Sequence, residues 1–107
     1  MSTEWNVIVY DKPGADRSKH RPSHLAAIPE TVTSGIVKSV GAIYHDVEKT
    51  KFAGSAYHLM ADSREDIIEF LKKDIFAKEG IWDLDTVLAY PIGIACRVAK
   101  PMPGVNL

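Results

Sequence analysis

The stretch SAYHLMADSREDIIEFL (residues 55–71) decides the fold, because it joins a strand pattern directly to a helix pattern. Residues 55–61 are mainly apolar and aromatic, which is typical of a strand. Ser63 and Asp66 then form an approximate capping box. Behind it, apolar residues repeat at helical spacing: Ile67, Ile68, Leu71 and Ile75. We therefore predict a strand followed by the clearest helix of the chain.

Two more strand patterns precede this unit. Residues 5–10 are rich in β-branched and aromatic side chains and run into the turn signal Pro13-Gly14. Residues 35–44 form the second pattern, and a polar loop at residues 46–51 leads on to the strand described above. These patterns predict three strands within the first 61 residues.

A helix is predicted between the first two strands. Asp16 can serve as its N-cap, and the side chains that define its face are Arg21, His24, Leu25 and Ile28. Proline suits only the first turn of a helix, so Pro22 leaves two possible starts, one near Asp16 and one as late as Arg21. Pro29 predicts the end of this helix.

The chain closes with a fourth strand and a tail. Residues 87–95 form a mainly apolar extended segment, and Pro91 within it indicates an edge strand or a bulge. The segment from Lys100 contains two prolines and a glycine. We assign residues 1–99 to one domain and residues 100–107 to a flexible C-terminal tail.

The order β-α-β-β-α-β predicts an α+β, ferredoxin-like fold, with both helices on one face of an antiparallel sheet. A sheet with one wet face should alternate apolar and polar residues, yet three of the strands carry apolar or aromatic side chains on both faces. A second copy of the sheet would cover the remaining face, so we predict a homodimer. Alternatively, Tyr57, His58 and Tyr90 tolerate solvent.

The composition is that of one ordinary globular domain. At 107 residues, with 46% hydrophobic and 25% charged residues, the chain has material for a single core. Its net charge of -1 argues against nucleic acid and anionic membranes as partners, and no apolar run is long enough to span a bilayer. The single cysteine, Cys96, and the absence of a signal-peptide pattern lead us to expect a cytoplasmic protein.

His24 is the first candidate for catalysis, because an imidazole titrates near neutrality and can take up and return a proton without a cofactor. A packing role is the alternative. Arg21 and Arg17, each about one turn earlier, could hold a substrate carboxylate or phenolate. Asp74 is predicted to fix the imidazole tautomer, unless it serves only as a helix cap, and Asp11 is its substitute.

The aromatic candidates are less specific. Tyr57 and His58 lie on opposite faces of a strand, so only one of them can line a given cleft. Trp82 could wall a pocket or fill the core. His20 and His24 have the spacing of a helical metal pair but lack a third ligand, and the chain has no dinucleotide-binding glycine fingerprint. We predict neither a metal nor another cofactor.

Several segments resemble the YCII-related (YciI-like) domain family. Arg21-Pro22-Ser23-His24-Leu25 resembles its Arg-x-x-His-Leu signature. Lys73-Asp74-Ile75-Phe76 resembles its Asp-Pro-Phe/Tyr motif, with Ile75 in place of the proline, and Gly80-Ile81-Trp82-Asp83 resembles the continuation. The first strand and loop, and the glycines at positions 35, 41 and 54, fall in the family's order. The resemblance covers about residues 4–97.

This resemblance implies a ferredoxin-like dimer, the dimeric α/β-barrel type, with a cleft between sheet and helices and an active site around the helix histidine and an acidic residue. Family members include a dehydrochlorinase of a chlorinated hydroxyquinol, and the fold resembles muconolactone isomerase. We therefore expect a cofactor-independent isomerase or lyase for a small phenolic, quinone-like or keto-acid molecule, including anionic ones. The alternatives are a non-catalytic ligand-binding domain and a dimeric assembly domain.

Overall fold

The computed structural model describes residues 2–105 and contains one antiparallel sheet with helices on one of its faces. The strands are β1 (Thr3–Asp11), β2 (Val37–Tyr44), β3 (Phe52–Ala61) and β4 (Trp82–Pro91). The helices are α1 (Arg21–Thr33), α2 (Arg64–Lys72) and α3 (Ile75–Lys78). The strand order is β2-β3-β1-β4. The ferredoxin-like arrangement is thus confirmed, with the second helix divided into two pieces.

The core lies between the sheet and the helices. From the sheet it receives fully buried side chains such as Val7 and Val9 of β1 and Leu59 of β3. The helices contribute Ile67 and Leu71 from α2 and Phe76 from α3. The predicted cap of α2 is confirmed, because the Ser63 hydroxyl accepts a hydrogen bond from the Asp66 N–H at 3.2 Å.

Helix α1 takes the later of its two predicted starts. It begins at Arg21, and Asp16 instead accepts a hydrogen bond from the Ser18 N–H in the turn before the helix. This later start agrees with Pro22, which then occupies the first turn, where its missing N–H is not needed.

The predicted end of α1 near Pro29 is wrong, because the helix continues to Thr33. Pro29 removes one helical hydrogen bond, but continuing the helix packs Val32 against the core cluster. Gly35 ends the helix instead. It has a φ of 86°, which glycine adopts without strain, and its N–H donates to the Val32 carbonyl at 3.0 Å.

Strand β4 also differs from its predicted bounds of 87–95, because it begins at Trp82 and ends at Pro91. Its pairing with β1 shifts between Ile8 and Tyr10, so β4 carries extra residues at an irregularity. Three of the four residues 83–86 are polar, which gives this part of the sequence the character of a loop. β4 lies at one edge of the sheet, which confirms the edge interpretation of Pro91.

The second face of the sheet is called the open face here, since no helix of the described chain covers it. The strand registers place these residues on it: Asn6, Ile8, Tyr10, Ala56, His58, Met60, Leu88 and Tyr90. Leu88 is 43% exposed and Tyr90 is 64% exposed. Apolar side chains therefore occupy both faces of the sheet, as the pattern predicted.

The segment after β4 stays in contact with the sheet and with α1. The Ile92 N–H donates to the Glu4 carbonyl at 2.9 Å, and Arg97 forms an ion pair with the Glu4 side chain. Further along, Met102 and Val105 line a cavity of about 390 Å³ together with residues of α1 and β2. The last two positions of the predicted tail, 106 and 107, lie outside the described residues.

None of the helices within residues 2–105 combines the length and the apolar character that crossing a bilayer requires.

Candidate active site

A histidine–carboxylate pair forms the centre of the candidate site. His24 lies in the first turn of α1 and is only 5% exposed. Its Nδ1 lies 2.8 Å from Oδ1 and 2.8 Å from Oδ2 of Asp74. An ionised carboxylate only accepts hydrogen bonds, so Nδ1 carries the proton and, in the neutral ring, Nε2 bears the lone pair. No residue within 2–105 hydrogen bonds with Nε2.

Asp74 has a second role as the N-cap of α3. Its Oδ2 accepts a hydrogen bond from the Phe76 N–H at 2.9 Å. The sequence suggested either a helix cap or an imidazole partner at this position, and the structure combines both. Because the cap bond holds the carboxylate, it also holds the imidazole ring that the carboxylate contacts.

Aromatic rings enclose His24 on two sides. Its imidazole stacks on Phe76, with 4.2 Å between ring centroids and 17° between ring planes. Trp82 meets the imidazole edge-on at 5.8 Å. Trp82 is 2% exposed, so it fills the core and also walls the site. These flat surfaces limit the orientations that the imidazole can adopt.

A buried ion pair lies beside the histidine pair. Arg17, 3% exposed, donates from Nε to Asp11 Oδ2 at 2.9 Å and from Nη2 to Asp11 Oδ1 at 2.6 Å. This is the bidentate arrangement that suits a guanidinium and a carboxylate. Arg17 lies in the loop before α1, so its predicted place on the helix, one turn before Arg21, is wrong. The structure therefore brings two of the predicted site residues, Arg17 and Asp11, into contact.

Ser55 and Phe76 connect the two pairs. The Ser55 hydroxyl oxygen accepts hydrogen bonds from Arg17 Nη2 at 3.2 Å and from Trp82 Nε1 at 3.3 Å. The Arg17 guanidinium also lies 4.5 Å from the centre of the Phe76 ring, on which His24 stacks. The sequence reasoning missed both connecting residues. Two features of the sequence could have identified these residues. Ser55 lies two residues before Tyr57 on the same strand and therefore faces the same side of the sheet, and Phe76 lies two residues after Asp74.

Tyr57 faces the helices and approaches the same tryptophan. It is 4% exposed, and its ring meets Trp82 edge-on at 6.2 Å. Burial, and then the negative charge of Asp74, raise the pKa of Tyr57 well above its ordinary value of 10.0, while Arg17 opposes the rise. His58 lies on the open face, which decides the alternative between these two residues.

Arg21 lies at the rim of the site. Its side chain is exposed, and its guanidinium lies 5.8 Å from the centre of the Phe52 ring. It forms no ion pair with another residue of the described chain. Unlike Arg17, this side chain therefore has a free guanidinium that can attract an anion.

Two polar atoms of the site have no protein partner in the described chain, His24 Nε2 and the Tyr57 hydroxyl. Every fully buried side-chain nitrogen or oxygen within residues 2–105 has a hydrogen-bond partner. These two atoms therefore retain an opening to solvent.

The described residues contain no group of three or more His, Cys, Asp or Glu side chains arranged to hold a metal ion. His20 and His24, which have the spacing of a helical metal pair, do not both lie within α1, because His20 is its N-cap residue.

The solved structures include a neighbour with the same fold. It is the 5-chloro-2-hydroxyhydroquinone dehydrochlorinase from Burkholderia phenoliruptrix in complex with 2,5-dihydroxybenzoquinone. The two superpose with a TM-score of 0.65 over 84% of this chain and 93% of that chain, at 18% sequence identity.

Comparison with known sequences identifies relatives of this chain. No family model matches it. An aspartate kinase of Fusarium oxysporum is 32% identical over 99 residues, but this chain spans only 18% of its length. Fusaric acid biosynthesis protein 2 of Gibberella fujikuroi and of Gibberella moniliformis are each 32% identical over 95 residues, which make up 82% of this chain and 90% of each relative. The chain therefore belongs to the family of fusaric acid biosynthesis protein 2.

Proposed function

We propose that the chain is a YCII-related, cofactor-independent isomerase or lyase that acts on a small phenolic, quinone-like or keto-acid substrate. One observation carries the proposal. Asp74 holds Nδ1 of His24 through both carboxylate oxygens at 2.8 Å, while Nε2 has no partner in the described chain. An imidazole held in this way is oriented to use Nε2 as a base.

Each residue of the site has a separate role in the proposed reaction. His24 Nε2 removes a proton from an acidic carbon and returns it at another position, or the resulting carbanion expels a leaving group. Asp74 is a positioning residue, since it fixes the tautomer and orientation of the imidazole. The flat rings of Phe76 and Trp82 suit a planar substrate. Arg21 at the rim favours an anionic one.

The comparisons support the class of substrate. The family relatives bear the name of a biosynthesis protein for fusaric acid, and the structural neighbour is a dehydrochlorinase bound to a dihydroxybenzoquinone. One name involves an acid and the other a dihydroxyquinone, and both are small organic molecules. The Asp74 carboxylate favours an enzyme over a purely binding domain, because holding a ligand does not require a fixed imidazole tautomer.

We also propose that the active form is a homodimer joined through the open face. Leu88 and Tyr90 are exposed there, next to Ile8 and Met60, and a second copy of the same face would bury them. A cytoplasmic location stays a prediction from the sequence.

The test is solvent deuterium exchange. The purified protein is incubated in deuterium oxide with a panel of hydroxyquinones, phenols and keto acids, and loss of carbon-bound protons is followed by NMR. Replacing His24 with Gln removes the titrating group but keeps much of the size and an amide donor for Asp74. We expect catalysed exchange to fall by about two to four orders of magnitude, with little change in melting temperature. Asp74→Asn should cause a smaller loss.

His45→Gln is the matched control, since His45 is an exposed histidine in the loop after β2. It should exchange protons at the wild-type rate. A folded His24→Gln protein that exchanges as fast as wild type would exclude the proton-transfer function.

A further inference from the structure

Tyr57 adds a second polar group to the site. We propose that its hydroxyl donates a hydrogen bond to an oxygen of the substrate, next to the carbon from which His24 removes a proton. The ligand is then a ring compound with a carbonyl oxygen beside an acidic C–H bond. This inference rests on the proposed function and specifies its substrate class.

The position of Tyr57 is set by the sheet. On β3 it pairs with Val7 of β1 and with Val40 of β2, and its neighbours 56 and 58 point to the open face. Its ring lies 6.2 Å from Trp82, and the His24 ring lies 5.8 Å from the same indole. The rings of Tyr57 and His24 therefore contact the same indole, and Tyr57 also lies close enough to Asp74 for that carboxylate to act on its pKa.

The hydroxyl of Tyr57 has no protein partner within residues 2–105, although the residue is only 4% exposed. A tyrosine buried to this degree normally hydrogen bonds through its hydroxyl. The site thus offers two complementary unpaired atoms, the lone pair of His24 Nε2 and the O–H of Tyr57. An enolisable carbonyl compound matches both, since it presents a proton to one and an oxygen to the other.

The charge state of Tyr57 supports this role. Burial and the nearby Asp74 carboxylate raise its pKa, so the side chain remains a phenol at neutral pH. A phenol donates a hydrogen bond, whereas a phenolate cannot.

The chemistry balances without an added reagent. As Nε2 takes the proton, the C–H electron pair forms a carbon–carbon double bond, and the carbonyl π pair moves to oxygen. Tyr57 keeps its proton and stabilises the oxyanion through the hydrogen bond. Returning the proton from Nε2 to carbon restores the neutral histidine.

The experiment compares Tyr57→Phe with Tyr44→Phe, a matched change at the end of β2 that keeps the ring stacked on Phe52 at 4.9 Å. Binding of 2,5-dihydroxybenzoquinone is measured by calorimetry, and deuterium exchange is measured on the same panel of compounds. We expect Tyr57→Phe to weaken binding about tenfold and to slow exchange about 100-fold. Its melting temperature should be unchanged or higher, because the lost hydroxyl has no protein partner. Tyr44→Phe should match wild type in both assays.

Wild-type binding and exchange by folded Tyr57→Phe would overturn the inference, and so would a failure of the wild-type protein to bind the quinone. A different result would contradict the proposed function. If Tyr57→Phe weakens binding while His24→Gln leaves exchange unchanged, the tyrosine hydrogen bond stands and the proton-transfer function falls.

Discussion

The two faces of the sheet reverse the usual distribution of polar and apolar groups. The side under the helices buries Arg17 with Asp11 and His24 with Asp74, whereas the open face exposes Leu88 and other large apolar side chains. Globular domains normally do the opposite. These ionisable side chains persist under the helices because each has a hydrogen-bonded partner. This contrast supports the proposed chemical site on one face and the proposed association surface on the other.

The largest expected effect comes from breaking a pair under the helices. Asp11→Asn leaves the Arg17 charge buried without its carboxylate, and we expect the free energy of unfolding to fall by about 3–5 kcal/mol. Urea denaturation measures the change. The exposed pair of Lys72 and Glu69, 3.2 Å apart, is the control, and Glu69→Gln should cost less than about 1 kcal/mol. Equal losses in both variants would mean that burial does not distinguish these pairs.

An intermediate effect is expected on the open face. Leu88→Lys places a charge at the proposed dimer interface, in both copies, and should raise the dimer dissociation constant about 100-fold while leaving the fold intact. Analytical ultracentrifugation measures it. Val98→Lys, at an 89% exposed position after β4, should leave the dimer unchanged. A monomeric wild-type protein at micromolar concentration would contradict the proposed association surface.

The smallest effect is a pH dependence of Tyr57. Its raised pKa means that, above the ordinary value of 10.0, the unfolded chain loses a proton that the folded chain keeps. The stability that Tyr57 contributes is present below that value and is lost as the pH rises towards its folded pKa. By about pH 11 wild type should have lost roughly 1 kcal/mol more than Tyr57→Phe. Urea denaturation at several alkaline pH values measures the difference, and parallel curves would show that Tyr57 does not titrate as inferred.

The succession of strands and helices along the chain and the helical cap at Ser63 follow from local sequence patterns, because each depends on residues close together in the chain. Two of the errors, the end of α1 and the start of β4, have tertiary causes. Pro29 predicts a helix end when only the local sequence is considered, because this prediction leaves out the stabilising contacts of Val32 with the core. The mainly polar residues 83–86 belong to a strand because a register shift against β1 accommodates them.

The site was predictable in its residue types rather than its contacts. His24 and Asp74 follow from their chemistry and from the family resemblance, although 50 residues separate them. The Arg17–Asp11 pair does not follow, since it depends on how the loop before α1 folds. Ser55 receives donors from both Arg17 and Trp82, an arrangement that exists only once three separate segments have packed together.

The double role of Asp74 restricts which residues this position tolerates. Residues that start a helix well are Asp, Asn, Ser and Thr, and those that can hold an imidazole with two anionic oxygens are Asp and Glu. Only aspartate appears in both groups. Asparagine could still cap α3, and glutamate could still hydrogen bond with the imidazole, but each would meet only one of the two requirements. Mutational scanning that selects separately for folding and for activity should therefore accept different residues at position 74, with aspartate as the single overlap.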